Sequence, residues 1–388
     1  MNGARNFFTD KYNTVKQSLE LMRNMHSVQA LDENIFLLDF CEDYAIDELL
    51  HKGVSSIGDL VKFVLARSPL FARNAKLGTP VGGGCSTFDA FTPAGDHTLG
   101  RNFDFKDAPC FVLWTHPKNH YASVSVIDTN FMLYGTGKHR YSPSNSAQTI
   151  FAPYCCVDGL NDQGLSIAVL QVKASPTRQS DADKKDITTT AMIRGVLDTC
   201  ANVDEAVAFL SEYNMHDSLG CLYHYQITDK SGRSVVAEYV SDRLHVYEKN
   251  GDAHPVAGTV YEQDGIAQQY ATNFTLTRDI GCAKIEQHGM DRAETIVGVL
   301  KEKNGVLTEL ESMDLLSHVK LNYKHPKYPW RIVALWSAVY NTNQGTLKLA
   351  ANMDYSHIYT FRVDRPCEVI AIESIPHSAY PPKEWEYL

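Results

Sequence analysis

Residues 82–106 read GGGCSTFDAFTPAGDHTLGRNFDFK, and the reading of this stretch decides the architecture. CSTFDAF (85–91) and TLGRNFDF (98–105) mix apolar and polar residues in a strand-like pattern, and they flank Pro93-Ala94-Gly95-Asp96. Two such runs on either side of a Pro/Gly turn predict an antiparallel hairpin. With the turn centred near Gly95, the partner of Cys85 falls near residue 105. That sets Asp104 next to the cysteine and Arg101 about one strand step away. Arg101 and Asp104 are separated by an odd number of residues, so a regular strand sends them to opposite faces. A site that uses both calls for a bulge or a strand end between them.

The glycines before the cysteine suggest a chemistry. Glycine tolerates backbone conformations closed to other residues, so Gly82 to Gly84 can present the Gly84 carbonyl to the Cys85 thiol. An N-to-S acyl shift followed by hydrolysis would cut the chain between Gly84 and Cys85. The new α-amine, with a reference pKa of about 8, can then act as the nucleophile's own base. A carboxylate at Asp104 can hold that amine, and a guanidinium at Arg101 can favour the thiolate.

Composition narrows the alternatives. The 388 residues can bury a large core; 44 % are hydrophobic and 21 % charged, ordinary values for a globular chain. A net charge of −10 with no long Lys/Arg run gives no footprint for nucleic acid. No run of some 18 apolar residues suggests stable membrane insertion, and Met1 to Met25 is polar and helical in pattern instead of signal-like, so a cytoplasmic location is expected. Nine cysteines without a C-x-x-C pair form neither a disulfide framework nor a thiolate zinc site; Cys155 and Cys156 are expected to alternate across a strand. His116 and His120 have i, i+4 spacing, but Pro117 denies them one helical face, and the glycines of YGTGKHR (134–140) read as a turn. No metal and no cofactor are called for.

Along the chain, residues 1 to about 68 read as helices, with Ile57, Leu60, Val61, Val64 and Leu65 on one apolar stripe that reads as intramolecular cover. Ser68 to Gly84 is linker-like. After the hairpin, strands are expected at 111–115, 121–127, 153–158 and 165–172, a helical block over Thr189 to Tyr213 capped anew at Asn202 to Asp204, and a hairpin around Asp229-Lys230-Ser231-Gly232. Ile332 to Tyr340 and Gly345 to Ala351 form a last strand pair. Strands, helices and strands again imply an α+β fold with layered sheets.

Several ordered blocks then resemble one family. Cys85 is followed by GRNFDF with the arginine and aspartate 16 and 19 residues on, and after it come DGLNDQGLSIAVL (158–170), GVLDTCANVDEAVAFL (195–210), HYQITDKSGRSVVAEY (224–239), YATNFTLT (270–277) and ALWSAVYN (334–341). Together they resemble the choloylglycine hydrolase and linear-amide C–N hydrolase family of N-terminal-nucleophile hydrolases: bile salt hydrolases, penicillin V acylases and acid-ceramidase-like amidases. The resemblance implies a four-layer αββα sandwich over residues 85–388 behind a helical propeptide, 1–84, that is removed or retained after self-cleavage. It implies Cys85 as nucleophile and base, Arg101 and Asp104 as its neighbours, and Asn273 as an oxyanion donor. The second asparagine of bile salt hydrolases is replaced here by Gln171, which also carries an N–H but with a different reach. The family's late arginine best matches Arg292 in MDRAETIV, judged by the distance onward to ALWSAVYN; the short distance back to Asn273 suggests a trimmed substrate loop.

The expected substrate is a small N-acyl amide with an apolar acyl part, such as a fatty-acyl or bile-acid-type conjugate. An acyltransferase using the same Cys85 thioester is the alternative within this chemistry, and an uncleaved, non-catalytic binding protein is the alternative outside it. A homo-oligomer and a retained propeptide are both compatible with the sequence.

Overall fold

The segment ahead of the cysteine contributes strands as well as helices. The computed structural model describes residues 27–67, 83–132, 141–172, 174–249, 259–277, 288–324 and 330–376. The expectations for Met1 to Met25, for most of the linker and for YGTGKHR lie outside the described residues. Within 27–67 the chain forms β1 (Gln29–Ala30), β2 (Ile35–Phe40), α1 (Ile46–Lys52) and α2 (Ile57–Arg67). The expectation of helices alone is therefore corrected at β2. Its IFLLDF run is apolar without a helical period and is almost wholly buried, the pattern of a strand covered on both faces. In α2 the apolar stripe does serve as cover: Leu60, Phe63 and Val64 are buried, and Phe63 meets Tyr154 edge-on.

The central hairpin follows as β3 (Gly84–Phe91) and β4 (His97–Lys106), then β5 (Cys110–Thr115) and β6 (Ser123–Asp128). A 3₁₀ stretch spans Pro143–Tyr154, where the sequence suggested a strand from 153. Pro153 has no N–H to give to a ladder, and the adjacent Cys155 and Cys156 are both buried outside any strand. Next come β7 (Asp158–Asn161), β8 (Leu165–Val172), β9 (Lys185–Thr188), α3 (Thr189–Thr199) and α4 (Val203–Glu212). The helix break falls where expected: the Asn202 side chain caps α4 by accepting the Glu205 N–H. The rest is β10 (Tyr213–His216), β11 (Leu222–Asp229), β12 (Ser234–Val240), β13 (Arg243–Glu248), β14 (Tyr270–Ala271), α5 (Met290–Glu302), α6 (Glu309–Val319), β15 (Asn322–Lys324), β16 (Arg331–Asn341), β17 (Thr346–Ala351), β18 (Ile358–Arg362) and β19 (Ala371–Glu373).

Two large sheets result. The nine-stranded sheet runs β1-β2-β5-β6-β7-β8-β11-β12-β13; the eight-stranded sheet runs β14-β3-β4-β16-β17-β18-β19, with β15 on β16. Helices α3 and α4 pack on the first sheet and α5 and α6 on the second, while β3 faces β8 and β11 across the middle. This is the αββα layering expected of the fold. The segment before Cys85 is built into it, because β2 pairs in parallel with β5 from Ile35↔Cys110 to Phe40↔Thr115.

Candidate active site

The β3–β4 register places the site. Cys85 pairs with Phe103, Gly84 with Asp104 and Thr87 with Arg101, with no irregularity between them. Residues directly opposite in a ladder point to the same face. Cys85, Phe103 and Arg101 therefore share the face turned toward the other sheet, while Ser86, Asn102 and Asp104 share the face covered by α5 and α6. The bulge expected within 101–104 lies instead on the neighbouring strand. Ala334 pairs with Asp104 and Trp336 with Phe103, leaving Leu335 as the extra residue of β16.

On the inner face the Arg101 guanidinium is fully buried and held from the opposite sheet. Its Nε donates to Asp158 Oδ2 at 2.8 Å, and its carbon lies 5.0 Å from the Phe103 ring centroid. Asp158, also fully buried, accepts Trp336 Nε1 at 2.9 Å and the Tyr340 hydroxyl at 2.6 Å. Burial would pull the guanidinium down, but the neighbouring Cys85 sulfur and the Asp158 carboxylate outweigh it and hold Arg101 above its ordinary value.

On the outer face Arg292, from the first turn of α5, gathers the main chain around Cys85. Its Nη1 donates to the Cys85 carbonyl at 2.5 Å and to Ser86 Oγ at 2.8 Å, and its Nη2 donates to Asn273 Oδ1 at 2.5 Å. The turn into α5 depends on Gly289, whose φ is +94°; a Cβ there would stand 2.6 Å from Arg292 Nη2. Asn273 Oδ1 also accepts the Cys85 N–H at 2.9 Å, and its Nδ2 donates to the Gln171 carbonyl at 2.6 Å. Gln171 thus meets the site through its main chain, while its side-chain amide reaches the Cys221 sulfur. Asp104 Oδ1 accepts the Leu321 N–H at 3.1 Å; Oδ2 lies 3.9 Å from Arg292 Nη1 and has no hydrogen-bond partner among the described residues. Burial raises the Asp104 carboxyl to about 7 against the pull of Arg292, the Leu321 N–H, Arg101 and Lys320.

The residues before Cys85 are glycine for a steric reason. A Cβ on Gly83 would lie 2.5 Å from the Asp104 carbonyl oxygen, and one on Gly84 would press on the end of the Leu321 side chain. The scissile position of the sequence argument is thus threaded between β4 and the start of β15, beside both Asn273 and Asp104.

The structure brings Cys85, Arg101, Asp104, Asn273 and Arg292 together, with the Gln171 carbonyl. It adds Asp158, Trp336 and Tyr340, which the sequence reading passed over. Asp158 opens the DGLN block and Trp336 lies within the ALWS block, so a pairing of buried aspartate with arginine was a findable signal, but only once the two sheets were known to face each other. His116 and His120 turn to different carboxylates, Asp39 and Asp47, and no group of three or more metal-ligating side chains occurs among the described residues.

A cysteine at the start of an inner strand of an αββα sandwich, with arginine and asparagine beside it, is the arrangement that the resemblance to N-terminal-nucleophile hydrolases implies. The family model for linear amide C-N hydrolases, choloylglycine hydrolase family, matches residues 85–258, beginning at the cysteine itself. Over that stretch the chain is similar to this family of linear-amide hydrolases. It is 25 % identical over 179 residues to a bile salt hydrolase/transferase of Clostridium perfringens, covering 43 % of this chain. That match spans about half, 51 %, of the curated relative's length. Among solved structures, a variant of the conjugated bile acid hydrolase of Clostridium perfringens shares the fold with a TM-score of 0.52 at 14 % identity, covering 76 % of this chain and 99 % of that one. The penicillin V acylase of Agrobacterium tumefaciens aligns over 72 % of this chain and 87 % of its own, at 16 % identity and a TM-score of 0.46.

Proposed function

We propose that the chain is a self-processing cysteine N-terminal-nucleophile amidohydrolase that cleaves linear N-acyl amides through an acyl-Cys85 thioester. The observation that carries this reading is the packing at the Gly84–Cys85 bond. Gly83, where a Cβ would strike the Asp104 main chain, and Gly84 lead into a buried thiol flanked by Arg101, with the Cys85 N–H on Asn273 and the Cys85 carbonyl on Arg292.

In self-cleavage, Cys85 Sγ attacks the Gly84 carbonyl carbon. The C–N bond breaks, and the Cys85 nitrogen takes up the proton given up by the thiol. Water then hydrolyses the Gly84 thioester, releasing a carboxylate and restoring the thiol. In turnover the free α-amine takes the thiol proton as sulfur attacks the substrate carbonyl, then returns it to the departing amine; water, with the amine as base, removes the acyl group as its acid. Asn273, once its amide turns from the Gln171 carbonyl to the developing oxyanion, is a donor of the kind worth about 3 kcal/mol of barrier. Asp104, facing the place that Gly84 vacates, is the carboxylate available to the new α-amine.

The favoured substrate carries an apolar acyl chain, of fatty-acyl or bile-acid type. The name of the curated relative, hydrolase/transferase, supports a second reading in which an amine instead of water takes the acyl group from Cys85. Product analysis with added amine separates the two.

We further infer that residues up to Gly84 stay bound after the cut. Strand β2 is an interior member of the nine-stranded sheet, and Tyr44 is buried with its hydroxyl on Asp198 at 2.8 Å, beside the ion pair of Asp198 with Arg194. Releasing this segment would expose that sheet edge and those charges to solvent.

The test is intact mass and N-terminal sequencing of the wild type beside Cys85→Ala. The expected result is a fragment beginning at Cys85 that co-elutes with its partner segment, absent in the variant, and N-acyl amide turnover lost with it. Cleavage or turnover that persists in Cys85→Ala would overturn the mechanism. A wild-type chain that is intact and inert toward N-acyl amides would favour the non-catalytic binding protein.

A further inference from the structure

Asn273 lies in neither helix nor strand. Strand β14 ends at Ala271, and residues 272–277 have only the isolated Thr259↔Thr277 bridge as sheet pairing. A side chain that must be aimed to within about half an ångström on irregular backbone needs support from rigid elements.

That support comes from one cross-strand pair. His224 on β11 and Glu238 on β12 stand directly opposite each other, and neither has exposed surface. On one side of Asn273, His224 Nε2 donates to the Thr272 carbonyl at 2.7 Å. A carbonyl only accepts, so the hydrogen is on Nε2. On the other side, Glu238 Oε2 accepts the Leu276 N–H at 3.0 Å, and Oε1 accepts the Thr277 N–H at 2.9 Å and the Thr277 hydroxyl at 2.5 Å. His224 Nδ1 lies 3.6 Å from Glu238 Oε2, joining the two anchors. Burial alone would raise the Glu238 carboxyl. His224 together with the Thr277 and Leu276 donors outweighs burial and holds the carboxyl below its ordinary range, which makes it the charged acceptor for the loop.

We propose that the Glu238–His224 pair is a positioning device for Asn273, fixing the backbone on both sides of it so that its side chain is aimed at Cys85. Neither residue touches the reacting atoms. The inference rests on the reading of Asn273 as a working group of the site.

The test is a double-mutant cycle between Glu238→Gln and Asn273→Ala, read on the rate of Gly84–Cys85 cleavage and on kcat and KM for an N-acyl amide. Glutamine keeps the volume but turns an NH₂ toward a loop donor. The expected result is a kcat about ten- to a hundredfold lower with KM within about twofold, and no further loss when Glu238→Gln is added to Asn273→Ala. Full additivity of the two losses, or wild-type kcat in Glu238→Gln, overturns the proposal. His224→Gln, which keeps a donor for the Thr272 carbonyl, is expected to retain activity that His224→Ala loses; equal activity in the two overturns the His224 half, and this comparison stands if Glu238→Gln fails to fold. Should the wild type show neither cleavage nor turnover, the functional reading falls on its own. Amide hydrogen exchange at Leu276 and Thr277 then decides the clamp: faster exchange in Glu238→Gln supports it, and unchanged exchange refutes it.

Discussion

The two faces of strand β4 each bury an ionisable side chain, of opposite sign and in opposite circumstances. Arg101, on the face toward the other sheet, has a dedicated counter-ion in Asp158, itself held by Trp336 and Tyr340. Asp104, on the face toward α5 and α6, has one oxygen on the Leu321 N–H, while the other stands 3.9 Å from Arg292 without a hydrogen bond. The inner charge is paired, whereas the outer carboxyl keeps one oxygen without a hydrogen bond among the described residues. A newly freed α-amine at Cys85 is the cation that chemistry would supply to Asp104, so the asymmetry fits a chain that matures by cutting itself.

The inner face should be the more fragile. Asp158→Asn leaves Arg101 buried without its counter-ion, and breaking a buried pair in this way typically costs about 3–5 kcal/mol. The expected outcome is a marked drop in the urea midpoint together with loss of cleavage and turnover. A variant with wild-type stability and rate would show that Asp158 does not hold Arg101 in place, and the contrast between the faces would collapse.

Asp104→Asn should separate stability from activity. The folded carboxyl sits near 7 against 3.8 in the reference state, so its contribution to stability is fully present below about pH 4 and is lost as pH rises through about 7. The shift corresponds to roughly 4 kcal/mol at most. In a Cys85→Ala background, which prevents cleavage, the stability of the Asp104 protein relative to Asp104→Asn should fall between pH 4.5 and pH 8 in urea titrations. In the active background Asp104→Asn should lose turnover with the fold retained. A relative stability independent of pH would remove the orphaned-carboxylate account.

How far this contrast was legible in the sequence depends on range. The hairpin, the α4 cap at Asn202 and the final strand pair are local patterns, and each formed where its periodicity placed it. The opposite facing of Arg101 and Asp104 also followed from a period of two. What was hidden needed the third dimension. The bulge moved to Leu335 of β16 because a ladder has two sides, and Asp158 meets Arg101 only because two sheets stack. Strand β2 escaped because a short apolar run beside clear helices carries no period of its own. Arg292 was reachable from sequence through its spacing to a later block, but its grip on the Cys85 carbonyl was not.

The smallest perturbation of the outer face is Ser86→Ala. Ser86 Oγ accepts one of the two bonds from Arg292 Nη1, and the other goes to the Cys85 carbonyl. A single hydrogen bond of this kind to a charged donor contributes about 1.5–3 kcal/mol, but here the same nitrogen keeps its second acceptor, so the effect should lie at or below the lower end. The expected outcome is a fall in kcat of a few fold with KM and the urea midpoint nearly unchanged. A loss as large as that of Arg292→Ala would mean that Arg292 acts through Ser86, whereas no loss at all would assign its role to the Cys85 carbonyl and Asn273 alone. Either result sharpens the same point: under the proposed mechanism the outer face aims groups that are still to react, so it should respond in rate before it responds in stability.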